Sequence, residues 1–122
     1  MKSIEGKIAY STSSVQDPDQ GTASCASTVG WAYRKVFNDE DNFVSNPMSA
    51  GCLYQKDDSR FSPIWGRGNG AINTSILQPG DVMYFKWPGS SNTVDHAEMY
   101  VGGNKDYSHG GNPHYGPVPK DL

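Results

Sequence analysis

Leucine, clustered positive charge and long apolar runs are all scarce in this 122-residue sequence. Only three leucines occur, against 13 valines and isoleucines and 14 aromatic residues, so we expect a substantial β-sheet rather than a helical bundle. Ten basic residues stand against thirteen acidic ones, without a run of Lys or Arg, which leaves no electrostatic basis for a nucleic-acid partner. No apolar stretch approaches the roughly 20 residues that cross a membrane, so no membrane partner is expected either.

The N-terminal residues also lack the apolar segment of a secretory signal peptide, so we expect synthesis in the cytoplasm without an export signal of its own. The length is typical of one domain, and the sequence predicts a single domain over residues 1–122. Residues 110–122 contain three prolines and are predicted to form either a final edge strand or the start of a linker. Residues 38–78 are predicted to be a long loop with one brief helix.

A helix that begins near residue 25 is the clearest predicted element. Apolar residues recur on one helical face, at Cys25, Val29, Ala32 and Val36. Thr22 or Ser24 can cap this helix, which places Cys25 in the first turn. There the positive end of the helix dipole lowers the pKa of a thiol and favours the nucleophilic thiolate. A buried structural cysteine and a disulfide with Cys52 are the alternatives.

Short segments flank this helix. Ile4 and Ile8 are one helical turn apart and predict a short first helix over residues 3–10. Residues 82–87 follow a Pro-Gly-Asp turn and predict a strand that turns Val82 and Tyr84 to one side and Met83 to the other. Residues 96–101 and 105–109 predict two further strands, joined by a Gly-Asn hairpin.

Two histidines lie on this predicted hairpin. His96 opens the first of its strands, where its ring can act as a general base for Cys25 or simply face solvent. If Gly103 and Asn104 form a two-residue loop, His109 stands opposite Glu98 and shares a face with His96; a three-residue loop separates the histidines onto opposite faces. Glu98 shares the face of His96 and can orient its ring or raise its pKa.

The sequence predicts no bound metal and no cofactor. The two cysteines and three histidines lack the short paired spacings that are typical of zinc sites. Asp17 and Asp19 give residues 16–21 a faint similarity to a calcium loop, but a third acidic ligand and a bidentate glutamate are missing.

The order of these features resembles the NlpC-type cysteine peptidases of bacterial cell walls, particularly the small catalytic domains of phage lysins. The resemblance runs from about residue 4 to about residue 117. It rests on Tyr10, on Cys25 at a helix start, and on residues 77–82, 96–102 and 108–111. It implies a papain-like α+β fold, in which a Cys-bearing N-terminal helix packs on a central antiparallel β-sheet.

The resemblance also implies roles for individual residues. Cys25 is expected to be the nucleophile, His96 the general base and His109 the group that orients it. Further residues are expected to contact substrate: Tyr10, Ser24, Glu98, Tyr100 and Trp65. The family usually has Asp before the cysteine and Ser-Gly after it, whereas this chain has Ser24 before it and Ala-Ser after it.

Bacterial peptidoglycan is the partner that the resemblance implies. Members of the family hydrolyse an amide bond within or at the start of the stem peptide, through a thioester. We expect a monomer that acts on the wall after release from the cell, fused to or paired with a wall-binding domain. The alternatives are a calcium-assisted Cys/His amidohydrolase, an interbacterial amidase toxin, and a non-catalytic phage structural or binding module with the same fold.

Overall fold

The computed structural model describes residues 1–12, 16–37, 62–64 and 73–122. Cys52, Trp65 and most of the predicted long loop lie outside these residues, as does the predicted helix end at residues 38–39. Within the described ranges no helix has the length and apolar character needed to cross a membrane.

One α-helix and two β-sheets form the described part of the chain, which confirms a mixed α+β fold. The helix is α1 (Cys25–Phe37), and short 3₁₀ turns occupy Lys2–Ile4, Pro18–Gln20 and Thr74–Ile76. The seven strands are β1 (Ile8–Tyr10), β2 (Thr22–Ala23), β3 (Val82–Phe85), β4 (His96–Gly102), β5 (Lys105–Ser108), β6 (Tyr115–Gly116) and β7 (Val118–Asp121). The small sheet has the order β2-β1-β6, and the larger, antiparallel sheet has the order β3-β4-β5-β7.

Helix α1 begins where the sequence predicts, because Ser24 and Ser27 cap it reciprocally. The Ser24 main-chain N–H donates to Ser27 Oγ at 2.8 Å, and the Ser27 N–H donates to Ser24 Oγ at 3.4 Å. Cys25 therefore lies in the first turn. The predicted apolar stripe fails at its far end, because Val36 lies in the exposed last turn and is 78% solvent-accessible.

The core lies between α1 and one face of the larger sheet. Its buried residues are Val29, Trp31 and Ala32 from the helix, and Ala97 and Met99 from β4. Val82 and Tyr84 of β3 pack against the same cluster, which confirms that they share one side of the strand. Strand parity therefore turns the even-numbered residues of β4 to the opposite face of the sheet.

The hairpin between β4 and β5 has a two-residue loop, which is the first of the two alternatives that the sequence left open. Gly102 pairs with Lys105, and both Gly103 and Asn104 have positive φ, as a type I′ turn requires. The predicted opposition of His109 and Glu98 is nevertheless wrong. A β-bulge at residue 101 shifts the register by one residue, so that Tyr100 pairs with Asp106. Continued along the strands, this register places Ser108 rather than His109 opposite Glu98.

The N-terminal 3₁₀ turn is followed by a strand, and the C-terminal residues form a strand as well. The predicted first helix is wrong beyond residue 4, because Gly6 adopts a positive φ of 68° and the chain then extends as β1 between β2 and β6. An apolar spacing of four residues does not by itself distinguish a helix from a turn followed by a strand. At the other end, β7 pairs with β5 and forms the edge of the larger sheet. Of the two alternatives predicted for residues 110–122, the structure therefore has the final edge strand.

Candidate active site

The fold brings the Cys25 thiol to His96. Cys25 is buried at the start of α1, and its sulfur forms no disulfide with any residue that the structure describes. The thiol forms a hydrogen bond with the side chain of His96, the first residue of β4. The start of the only described α-helix and the start of the central strand β4 therefore meet at a thiol and an imidazole, the two groups that a cysteine hydrolase needs.

The His96 ring is held on its far side by two polar groups. Its Nε2 lies 3.0 Å from Glu98 Oε1 and 3.1 Å from Ser108 Oγ. With Nε2 engaged in this way, Nδ1 is the ring nitrogen available to the Cys25 thiol. The Trp87 ring stacks against the imidazole with 5.5 Å between ring centroids, and this tryptophan remains 51% exposed. The ring is therefore fixed by hydrogen bonds and covered by an aromatic side chain that solvent can reach.

Electrostatics favour a charged His96. Burial lowers the pKa of the imidazole, but hydrogen bonds and charge interactions with Cys25 and Glu98 outweigh that effect and raise the pKa to about 9. Because this pKa lies above the ordinary value of 6.5, the interactions stabilise the fold fully below about pH 6.5 and are lost as the pH rises through about 9. At neutral pH the arrangement favours an imidazolium beside the sulfur.

Glu98 is the carboxylate that stabilises this imidazolium. Its burial raises its pKa, yet hydrogen bonds from its neighbours reverse the effect and hold the pKa well below its usual range. These neighbours are His96, Asp106, Lys120 and Ser108. The Lys120 Nζ, on edge strand β7, lies 2.8 Å from the same Oε1 that faces His96. Glu98 was predicted to contact substrate or to orient the base, and its position fits the second role.

His109 lies on the other face of the sheet from Glu98, beside α1. Its Nδ1 is 2.9 Å from Thr28 Oγ1, and its ring contacts Tyr10 edge-on at 5.3 Å between centroids. None of the hydrogen bonds among the described residues joins it to His96, so the ring contact expected for orienting the base is not formed. Burial lowers the pKa of His109. Hydrogen bonds to the main chain of His114 and Ile8 and the charge of Cys25 raise it, but they do not outweigh burial, so the neutral ring is favoured at pH 7.

Gly116 sets the position of the His109 ring, because a Cβ at residue 116 would lie 2.6 Å from His109 Cδ2. We expect Gly116→Ala to displace this ring and to lower the free energy of unfolding by about 1–3 kcal/mol. Thermal or urea unfolding measures the loss. Gly103→Ala is the control for replacing a glycine where no side chain is displaced. A Cβ at residue 103 meets nothing within 4 Å, so any loss of stability there comes from strain at its positive φ of 62°. Equal stability of Gly116→Ala and wild type would contradict this packing.

The remaining predicted contact residues lie at different distances from the thiol. Ser24 precedes Cys25 as the helix cap, and Tyr10 reaches the site through His109. Tyr100 is buried on the Glu98 face, but it lies four residues along β4 from His96, about 13 Å, and its hydroxyl accepts a hydrogen bond from Asn104 at the hairpin end.

Sequence reasoning missed several residues of the site: Thr28, Trp87, Asp106, Ser108 and Lys120. A bulge in the hairpin shifts the register by one residue and brings Ser108 to the Nε2 of His96, and the sequence carries no strong signal for that bulge. Lys120 had no signal either, since its contact with Glu98 depends on strand β7, which begins 16 residues after β4 ends.

The two aspartates of the calcium-loop alternative bind side chains of α1 instead. Asp19 accepts hydrogen bonds from Trp31 Nε1 at 3.0 Å and Lys35 Nζ at 2.9 Å, and Asp17 lies 3.9 Å from the Arg34 guanidinium. These contacts give both carboxylates a structural function, which is to attach the Pro18–Gln20 turn to the helix. Within the part of the chain that the structure describes, no group of three or more acidic, His or Cys side chains is arranged to hold a metal ion.

No protein-family model matches the chain, and no curated protein matches it significantly.

Proposed function

We propose that this protein is a cysteine hydrolase that cleaves an amide bond of bacterial peptidoglycan, within or at the start of the stem peptide. One observation carries the chemistry: the Cys25 thiol, at the start of α1, is hydrogen-bonded to a His96 ring whose Nε2 faces the buried carboxylate of Glu98. A helix with an N-terminal cysteine packed on an antiparallel sheet is also what the papain-like resemblance implies. The order of motifs in the sequence supports peptidoglycan as the substrate.

The contacts support a two-stage acyl transfer. The Cys25 thiolate attacks the carbonyl carbon of the amide, and His96, as imidazolium, gives its Nδ1 proton to the departing amine as the C–N bond breaks. Water then loses a proton to the neutral His96 ring while its oxygen attacks the thioester carbonyl. The C–S bond breaks, a carboxylic acid is released, and the thiolate–imidazolium pair is restored.

Glu98 assists both stages without exchanging a proton with the substrate. As a carboxylate 3.0 Å from Nε2, it stabilises the positive charge on His96 and fixes the tautomer that directs Nδ1 toward the sulfur. The partly exposed Trp87 beside the ring offers an apolar surface to a bound peptide or sugar.

Digestion of purified cell walls tests the proposed function directly. We expect the protein to release soluble fragments, with one new amino group for each amide cleaved, and mass spectrometry of the fragments identifies the bond. Protein pretreated with iodoacetamide is the control and should release none. Intact walls after prolonged incubation with untreated, folded protein would contradict the proposal and favour the non-catalytic binding module.

The protonation of His96 predicts how hydrolysis depends on pH. Because the imidazolium must protonate the leaving amine and its pKa is about 9, we expect the single-turnover rate of acylation to fall as the pH rises through about 9. The measurement is release of the amine from a soluble stem-peptide fragment over a pH series, with circular dichroism as the control for folding. A rate that keeps rising above that pH would contradict the role of His96 as the acid.

A further inference from the structure

Asp106 is a buried carboxyl group that the mechanism above does not use. It lies in β5, is 0% exposed, and pairs across the strands with Tyr100 on one side and Lys120 on the other. Neither of its carboxyl oxygens accepts a hydrogen bond from any of the described residues. An ionised carboxylate in this position would have lost its hydration without gaining a donor, which is strongly unfavourable.

The partner that Asp106 does have is another carboxyl group. Its side chain lies within hydrogen-bonding distance of Glu98, and neither group can donate that hydrogen bond while both are ionised. Two carboxyl groups can share such a bond only if one of them carries a proton. Glu98 already faces two cationic partners, the imidazole of His96 and the ammonium of Lys120, so Glu98 is the charged member and Asp106 the protonated one.

We propose that Asp106 is a positioning residue, a neutral carboxylic acid that donates a hydrogen bond to Glu98 and so holds it as the carboxylate facing His96. Asp106 touches neither the sulfur nor the substrate and acts only through Glu98. The inference deepens the proposed function, on which it rests for the role of His96 in catalysis.

The electrostatic surroundings of the pair agree with this assignment. Burial, and then the hydrogen bond and negative charge of Glu98, raise the pKa of Asp106 to about 7, against the opposing positive charges of Lys120 and His96. These are the charged groups that face Asp106 from strands β4 and β7. The pair therefore holds one proton under mildly acidic conditions and loses it as the pH rises through about 7.

Infrared spectroscopy tests the proton on Asp106. About one pH unit below its pKa of about 7, the difference spectrum between wild type and Asp106→Asn should contain the carbonyl band of one protonated carboxylic acid. That band should disappear as the pH is raised above that pKa. Asp121→Asn is the control, because Asp121 is exposed and ion-paired with Lys105, and its difference spectrum should lack the band. Absence of the band from the Asp106→Asn spectrum would overturn the proposal.

NMR titration of the Glu98 carboxyl group in acid tests the positioning role, because Asp106 holds its proton throughout that range. The amide of Asp106→Asn can still donate to Glu98, so the Glu98 pKa should stay well below its usual range. Asp106→Leu removes the donor and should raise that pKa by roughly 1–2 pH units. An equal rise in both variants, or no rise in Asp106→Leu, would overturn the proposal, because it would show that a hydrogen bond donated by residue 106 does not hold Glu98 as a carboxylate.

The outcome does not depend on finding a substrate. Asp106→Asn and the infrared band decide the question even if Asp106→Leu fails to fold. Neither experiment uses cell walls, so failure of the wild-type protein to cleave peptidoglycan would contradict the proposed function while leaving the assignment of the proton on Asp106 to stand or fall on its own data.

Discussion

Replacement of Cys25 by alanine is expected to reduce the hydrolysis of cell walls by about a thousandfold or more. The thiolate forms the covalent bond in the first stage. Among the described residues, Ser108 is the other nucleophile beside His96, but it contacts Nε2, the nitrogen that faces Glu98, and therefore cannot replace Cys25. The rate of fragment release from purified walls measures the effect.

Two controls separate this loss from misfolding. Cys25→Ala removes one buried sulfur from the start of α1, so its free energy of unfolding should fall by only about 1 kcal/mol. Cys52→Ser, which changes the second thiol of the chain, should retain activity. A fully active Cys25→Ala variant would show that the nucleophile lies elsewhere.

Replacement of Glu98 by glutamine is expected to slow hydrolysis by about 10- to 1,000-fold. Glutamine keeps the size of the side chain and can still accept a hydrogen bond from Nε2, but it removes the negative charge that stabilises the imidazolium. The pKa of His96 should therefore fall by about 1–3 pH units, and less thiolate should be present at neutral pH. Single-turnover acylation rates and NMR titration of His96 measure the two effects.

His109→Ala is the comparison that separates the two candidate orienting residues. The family resemblance assigns orientation of the base to His109, whereas in the structure Glu98 contacts the base and His109 contacts Thr28. His109→Ala should therefore reduce activity less than Glu98→Gln and leave the pKa of His96 nearly unchanged. A larger loss in His109→Ala, together with a shifted His96 pKa, would restore the role that the resemblance implies.

The elements that hold the site could be predicted from local patterns. The helix at Cys25 has an apolar repeat and a serine cap, and the faces of β3 follow the alternation of its side chains. The two-residue turn at Gly103 was also predictable, since Gly-Asn sequences favour positive φ at both positions. These signals all lie within a few residues of the elements that they specify.

Apart from Glu98, which strand parity places on the face of His96, the groups around the base could not be predicted in the same way, because they depend on register and on long-range pairing. Because of one bulged residue in β4, Ser108 rather than His109 lies opposite Glu98. The sequence carries no strong local signal for a bulge there. Lys120 reaches Glu98 only because β7 returns to the edge of the sheet beside β5. The sequence therefore predicts the thiol–imidazole pair and Glu98, whereas it does not predict the contacts of Ser108, Lys120 and Asp106 with them.

The pH dependence of Cys25 alkylation tests the thiolate–imidazolium pair most directly. With Cys52→Ser as the background, so that one thiol reacts, iodoacetamide should modify Cys25 rapidly at neutral pH, well below the ordinary thiol pKa of about 8.5. In the same background, His96→Gln should move the rise in rate to or above that ordinary pKa. A Cys52→Ser profile that rises only near the ordinary thiol pKa, and that His96→Gln leaves unchanged, would contradict the account.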